Sequence, residues 1–110
     1  MNLEIHRSVN KQWTVLTLLG ELDMGGAPTL RQSVVNEVIS GNRHIVLDFS
    51  GVYFIDSSGL GAIIGALRRV RSHEGELLII CLEPDLRKVF ELCELDQIFK
   101  MDLDYEAIKN

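Results

Sequence analysis

The densest grouping of residues able to do chemistry is Ile55-Asp56-Ser57-Ser58-Gly59-Leu60-Gly61, a carboxylate followed by two hydroxyls and then by glycines. Such a segment can cap a helix, because Asp and Ser oxygens accept hydrogen bonds from the unpaired N–H groups of a first turn. Taken alone these residues favour capping, which is compatible with a switch role at the same position. A nucleophilic serine would need a general base within reach, together with donors for an oxyanion. His6 falls on a first strand, His44 opens a buried strand, His73 ends the helix at the pole opposite Ser57, and no Gly-x-Ser-x-Gly elbow is present. No catalytic residue is assigned. A phosphate-binding loop for a nucleotide is also unsupported, because the segment holds no Lys or Arg and no Gly-x-Gly-x-x-Gly, so no cofactor is expected. Cys81 and Cys93 do not form a close-spaced ligand pair and no histidine cluster accompanies them, so no metal is expected. They read as buried free thiols, with a regulatory disulfide between them as the alternative.

The elements that must position this segment alternate in type. Leu3 to Val9 and Trp13 to Leu19 read as a hairpin of two strands, with Gly20 ending the second. Asp23-Met24-Gly25-Gly26 then forms a flexible loop before Pro28, which suits the first turn of a helix running to about Ser40. On that helix Leu30, Val34 and Val38, with Val35 and Ile39 beside them, point inward and leave Arg31, Gln32, Asn36 and Glu37 outward. His44 to Phe49 and Leu77 to Leu82 are short apolar runs of the kind covered on both faces in a parallel sheet. Between them Leu60, Ile63, Ile64 and Leu67 predict a helix over 58–73 that ends before Gly75. Pro84 opens a third helix with Leu86, Val89, Phe90 and Cys93 on one face, Ile98 to Met101 reads as a last strand, and Asp104 caps a short C-terminal helix. Trp13 and Phe90 are assigned to the core.

The order ββαβαβαβα predicts an α/β domain spanning residues 1–110, with a mostly parallel central sheet behind an N-terminal hairpin. Loops at the carboxyl ends of parallel strands meet at one rim, so Asp23 and the Asp56-Ser57 pair are expected as neighbours. At helical spacing Ser57, Gly61, Gly65 and Arg68 share the side opposite the apolar stripe. That side is nearly bare, and glycine inside a helix costs about 1 kcal/mol relative to alanine, so two in register suggest close approach by a partner.

Composition narrows the function classes. A chain of 110 residues with 46% hydrophobic and 25% charged residues is a packed single domain rather than a disordered or fibrous one. The net charge of −5 argues against direct nucleic-acid binding. The Arg68-Arg69-Val70-Arg71 cluster is too short to reverse that and reads as a solvated face or a docking patch. No apolar run reaches the roughly 20 residues needed to span a bilayer, and the first residues lack the form of a signal peptide, so no membrane association and a cytoplasmic location are expected. The apolar faces are all needed for one core, which makes a monomer the expectation.

Taken together, Gly20-Glu21-Leu22-Asp23, His44-Ile45-Val46-Leu47-Asp48 and Phe54-Ile55-Asp56-Ser57-Ser58-Gly59-Leu60-Gly61 resemble the STAS-domain anti-sigma factor antagonists of bacteria. The resemblance spans nearly the whole chain and implies a STAS-type fold. It implies that Ser57, the serine directly after the Asp, is phosphorylated by a partner that is both anti-sigma factor and serine kinase, and that a metal-dependent serine phosphatase reverses this. It sets Asp23 and Asp56 beside that serine, in a partner-binding surface with Ser57, Ser58, Gly59, Gly61 and Gly65. Gly25-Gly26 departs from the pattern, since many relatives carry bulkier residues after the Asp. A single STAS domain serving as a structural subunit of a membrane lipid or anion transport complex is the alternative function on the same fold.

Overall fold

In the computed structural model of the protein, which describes residues 3–81, 83–94 and 100–102, strand β1 (Leu3–Asn10) pairs antiparallel with β2 (Trp13–Leu22) from Leu3↔Gly20 to Asn10↔Trp13. Helix α1 (Ala27–Ile39) follows, then β3 (His44–Ile55), α2 (Ser57–Ser72), β4 (Glu76–Ile80), α3 (Pro84–Leu92) and β5 (Lys100–Asp102). The sheet runs in the order β1-β2-β3-β4-β5, and every pair after the hairpin is parallel. The expected α/β order is therefore found through the last strand. The C-terminal helix expected from Asp104 lies outside the described residues, as do positions 98 and 99 of the expected last strand and Leu82 of the fourth.

Apolar alternation on β3 and β4 builds two clusters, one on each face of the sheet. Ile45, Leu47 and Phe49 join Leu77, Ile79 and Cys81 beneath α1 and α2, while Val46, Leu78 and Ile80 join Trp13 and Val15 on the other face. Burying a side chain of this size contributes about 1.5–3 kcal/mol, so the central strands dominate the stability of the domain. Phe90 on α3 packs edge-on against Phe49 with ring centroids 5.6 Å apart. Trp13 and Phe90 are both buried, as expected.

Several local expectations change. Gly20 does not end β2: it adopts φ 111° beside a shift of register, and the strand continues to Leu22. β3 likewise runs past Phe49 to Ile55 and holds residues extra to its partner, because Thr17↔Asp48 is followed by Leu19↔Gly51, and Gly20↔Val52 by Glu21↔Phe54. Such bulges bend a strand and re-aim its end. Gly51 sits at the first, where an added Cβ would collide with the Leu19 side chain and come within 2.9 Å of the Leu18 carbonyl.

On α1, Ile39 is 77% exposed while Glu37, expected outward, is buried. Its carboxylate is satisfied there, accepting from Arg7 Nε at 2.8 Å and from Asn42 Nδ2 at 2.7 Å, which removes the penalty of an unpaired buried charge. α2 buries Gly59, Ala62, Ile63, Ala66, Leu67 and Val70, leaving Leu60 and Ile64 only partly covered. The buried side is thus rotated from the stripe that the largest residues define, with Ala66 beside Val34 and Val35 of α1. Cys81 is buried and Cys93 is exposed at the end of α3, so the expectation of two buried thiols holds only for the first. Burial pushes the Cys81 thiol up, which keeps it protonated and unreactive.

Candidate functional site

Parallel pairing of β2 with β3 brings Leu22 opposite Ile55, and both chains leave the sheet at the same rim. After β2, the Asp23 side chain turns back, its Oδ1 accepting from the Gly26 N–H at 2.9 Å, while its carbonyl accepts from Ala27 N at 2.8 Å. These bonds close residues 23–26 into a tight turn at the start of α1, where a flexible loop was expected. The Gly26 hydrogen bond holds the Asp23 carboxyl below its ordinary value of 3.8. An added Cβ at Gly26 would stand 2.6 Å from the Glu21 carbonyl, so the departure at Gly25-Gly26 includes one position with no room for a side chain.

After β3 a single residue, Asp56, leads into α2. Its side chain caps the helix, accepting from Gly59 N at 3.0 Å, and its carbonyl accepts from Leu60 N at 3.0 Å. Its own N–H donates to the Leu22 carbonyl at 3.3 Å, which joins the two loops. Gly59 is buried against that same carbonyl, and a Cβ there would collide with it. Asp23 and Asp56 therefore flank one shared backbone anchor, Leu22, as neighbours at the rim.

Ser57 is the first residue of α2 and is exposed, whereas Ser58 is half-buried. Gly61, Gly65 and Arg68 follow on the exposed side, and both glycines have open space where a Cβ would stand. Gly65 also lines a shallow dip of about 90 Å³ between α1 and α2, walled by Val34, Val35 and Ala66 with Arg31 and Arg69 at its edge. Of the glycines read as a partner surface, Gly61 and Gly65 are exposed and Gly59 is buried. Sequence reading passed over Met24, 76% exposed on the first loop, and Tyr53 and Phe54, exposed just before the second. The signal available for them was a pair of aromatics at the end of a strand whose alternation had already broken. Tyr53 donates its hydroxyl to Glu21 at 2.9 Å, which ties β3 to β2 at the rim and raises the phenol's pKa.

The rim thus offers a capped helix start with an exposed serine, two carboxylates and an apolar fringe. Among the described residues no group of His, Cys, Asp and Glu is arranged to hold a metal ion, and no helix is long and apolar enough to cross a membrane.

Residues 1–108 match the STAS domain family. The chain is 30% identical over 88 residues to the anti-sigma F factor antagonist of Lysinibacillus sphaericus, covering 79% of this chain and 75% of that one. It is 26% identical over 102 residues to the anti-sigma-B factor antagonist of Staphylococcus aureus, covering 93% and 94%. Among solved structures it is similar to the anti-sigma factor antagonist SpoIIAA in its unphosphorylated form, with a TM-score of 0.70, 26% identity and coverage of 96% and 92%. It is similar to the phosphorylated form of SpoIIAA from Bacillus to the same degree, with a TM-score of 0.71, 27% identity and 96% coverage of both chains. Fold and sequence agree, and the chain belongs to the anti-sigma factor antagonist family of STAS domains, whose members regulate by binding rather than by catalysis.

Proposed function

We propose that the chain is an anti-sigma factor antagonist whose unmodified form binds an anti-sigma factor with serine kinase activity, frees the sigma factor, and is switched off by phosphorylation of Ser57. The observation that carries the reading is the exposed Ser57 at the head of a helix side that stays bare at Gly61 and Gly65. A partner can approach the α2 backbone closely along that side, with Asp23, Asp56, Ser57 and Ser58 at one end. A metal-dependent serine phosphatase would restore the binding form.

The physics of the switch is local. Phosphorylation adds about −1.5 to −2 charge and three acceptor oxygens. Asp56 already occupies the Gly59 N–H, so the new group would share the helix start with a carboxylate, and Asp23 adds a second nearby. The result is repulsion and a desolvation penalty at the interface, where about 1.4 kcal/mol is a tenfold change in affinity. The near-equal likeness of this chain to the two forms of SpoIIAA supports a switch that leaves the fold in place.

A pull-down from native lysate with wild type, Ser57→Ala and Ser57→Asp as baits tests the reading, followed by titration of the captured kinase. Wild type and Ser57→Ala should retain it, Ser57→Asp should bind at least about tenfold more weakly at nearly unchanged thermal stability, and Ser57→Ala should resist phosphorylation while Ser58→Ala accepts it. Equal affinity for Ser57→Asp and wild type, or phosphate mapped to Ser58 alone, overturns the assignment.

A further inference from the structure

Among the described residues the second half of β3 has a partner on only one side. β2 pairs with it through Leu22↔Ile55, but β4 pairs only from His44↔Glu76 to Asp48↔Ile80. The chain then leaves β4 through Cys81 and Glu83 into α3, whose Phe90 packs on Phe49 of β3. Between them lies a groove of about 630 Å³ lined by residues 50–55 of β3 and, across from them, by Glu83, Asp85, Leu86 and Val89.

Six consecutive strand residues line this groove. The two bulges interrupt the alternation of faces here, and the groove lies along the stretch on the side away from β2, where no strand among the described residues pairs with it; the Ser50 N–H is already taken by Asp48 Oδ1 at 2.9 Å. At about 3.3 Å per residue the stretch offers an edge of about 20 Å, the length of one short strand. Leu86 and Val89 give the opposite wall an apolar surface, and Tyr53 and Phe54 are exposed on the strand itself. The charged residues among the described lining are Glu83 and Asp85, with no Lys or Arg to balance them.

We propose that this edge is a second docking site, distinct from the Ser57 surface, which accepts an extended segment of a partner protein as an added strand beside β3. The partner segment carries Lys or Arg at alternating positions to meet Glu83 and Asp85, with apolar residues between them to meet Leu86 and Val89. Main-chain hydrogen bonds supply affinity in such an arrangement, and the alternate side chains supply specificity. The charge disfavours a second copy of this chain, because edge-to-edge pairing would bring two Glu83/Asp85 pairs together. The two bulges in β3 twist the edge, which restricts pairing to a short segment.

The probe is a fluorescent, end-blocked hexapeptide of alternating lysine and valine, titrated into the full chain and followed by anisotropy and by amide chemical shifts. It needs neither the kinase nor Ser57, so its failure leaves the proposed switch standing, and the reverse also holds. The peptide should bind with shifts centred on residues 51–55 and 83–89. Replacing its lysines by glutamates should weaken binding at least about tenfold, as should N-methylation of alternate backbone amides. Glu83→Gln/Asp85→Asn, which keeps a side-chain oxygen at the α3 cap, should weaken it at least about threefold and flatten its salt dependence. Equal binding of the N-methylated peptide, shifts elsewhere on the surface, or no binding by about 1 mM overturns the proposal. So does a dimer in light scattering whose shifts map to this groove.

Discussion

Helix α2 carries glycine on two opposite sides, and the sides differ in what a methyl group would meet. On the buried side, a Cβ at Gly59 would run into the Leu22 carbonyl and come within 2.8 Å of Leu22 Cγ and 3.0 Å of Ile55 Cγ1. On the exposed side, a Cβ at Gly61 or Gly65 would meet nothing within 4 Å. Gly59 lets the start of the helix press against the end of β2, which holds the two rim loops together. Gly61 and Gly65 fill no space in the fold and cost helix stability. Identical residues on one helix thus answer to architecture in one case and, under the proposed function, to a partner in the other.

The largest effect is expected from Gly59→Ala. The obstructing atom is a backbone oxygen that cannot swing aside, so overpacking should destabilise the domain by about 3 kcal/mol, measured as a lower urea midpoint. A midpoint within error of wild type would remove the contrast altogether. Gly61→Ala and Gly65→Ala should move stability the other way, each raising it by up to about 1 kcal/mol, because alanine is the better helix former and the space is empty. The same substitutions should weaken the kinase complex. If they stabilise the fold and leave that affinity untouched, the bare side of α2 is not a contact surface, and the comparison reduces to helix propensity.

The smallest effect concerns the other rim loop. Asp23 has its folded pKa depressed by the Gly26 hydrogen bond, so it contributes stability above its unfolded value near 3.8, and this is lost as pH falls through the lower folded value. The amide shift of Gly26 should therefore titrate with a midpoint below 3.8, and Asp23→Asn should abolish the titration. A midpoint at or above that value would mean that the turn does not hold the carboxylate.

Much of the site was legible from local sequence. Asp56 sits where a capping residue belongs and caps, and the 3.6-residue period puts Ser57, Gly61, Gly65 and Arg68 on one exposed side, as observed. What misled was size. Leu60 and Ile64 look like core residues, yet α2 buries Ala62 and Ala66 instead, with Ala66 beside Val34 and Val35 of α1. Glu37 looks like a surface residue, but Arg7, distant in sequence on β1, and Asn42, just past the end of the helix, supply the partners that make its burial tolerable.

The sequence by itself determined the order of elements, the pairing of apolar runs into a parallel sheet, a helix start within residues 56–58 and the family. Each of these rests on neighbours within a few residues or on a motif read in one dimension. Only the tertiary structure decided how far β3 outruns β4, which glycine is filled space and which is open, and where an unpaired edge faces α3. Those depend on register and on the distance between packed elements, quantities that belong to pairs of segments and that neither segment carries alone.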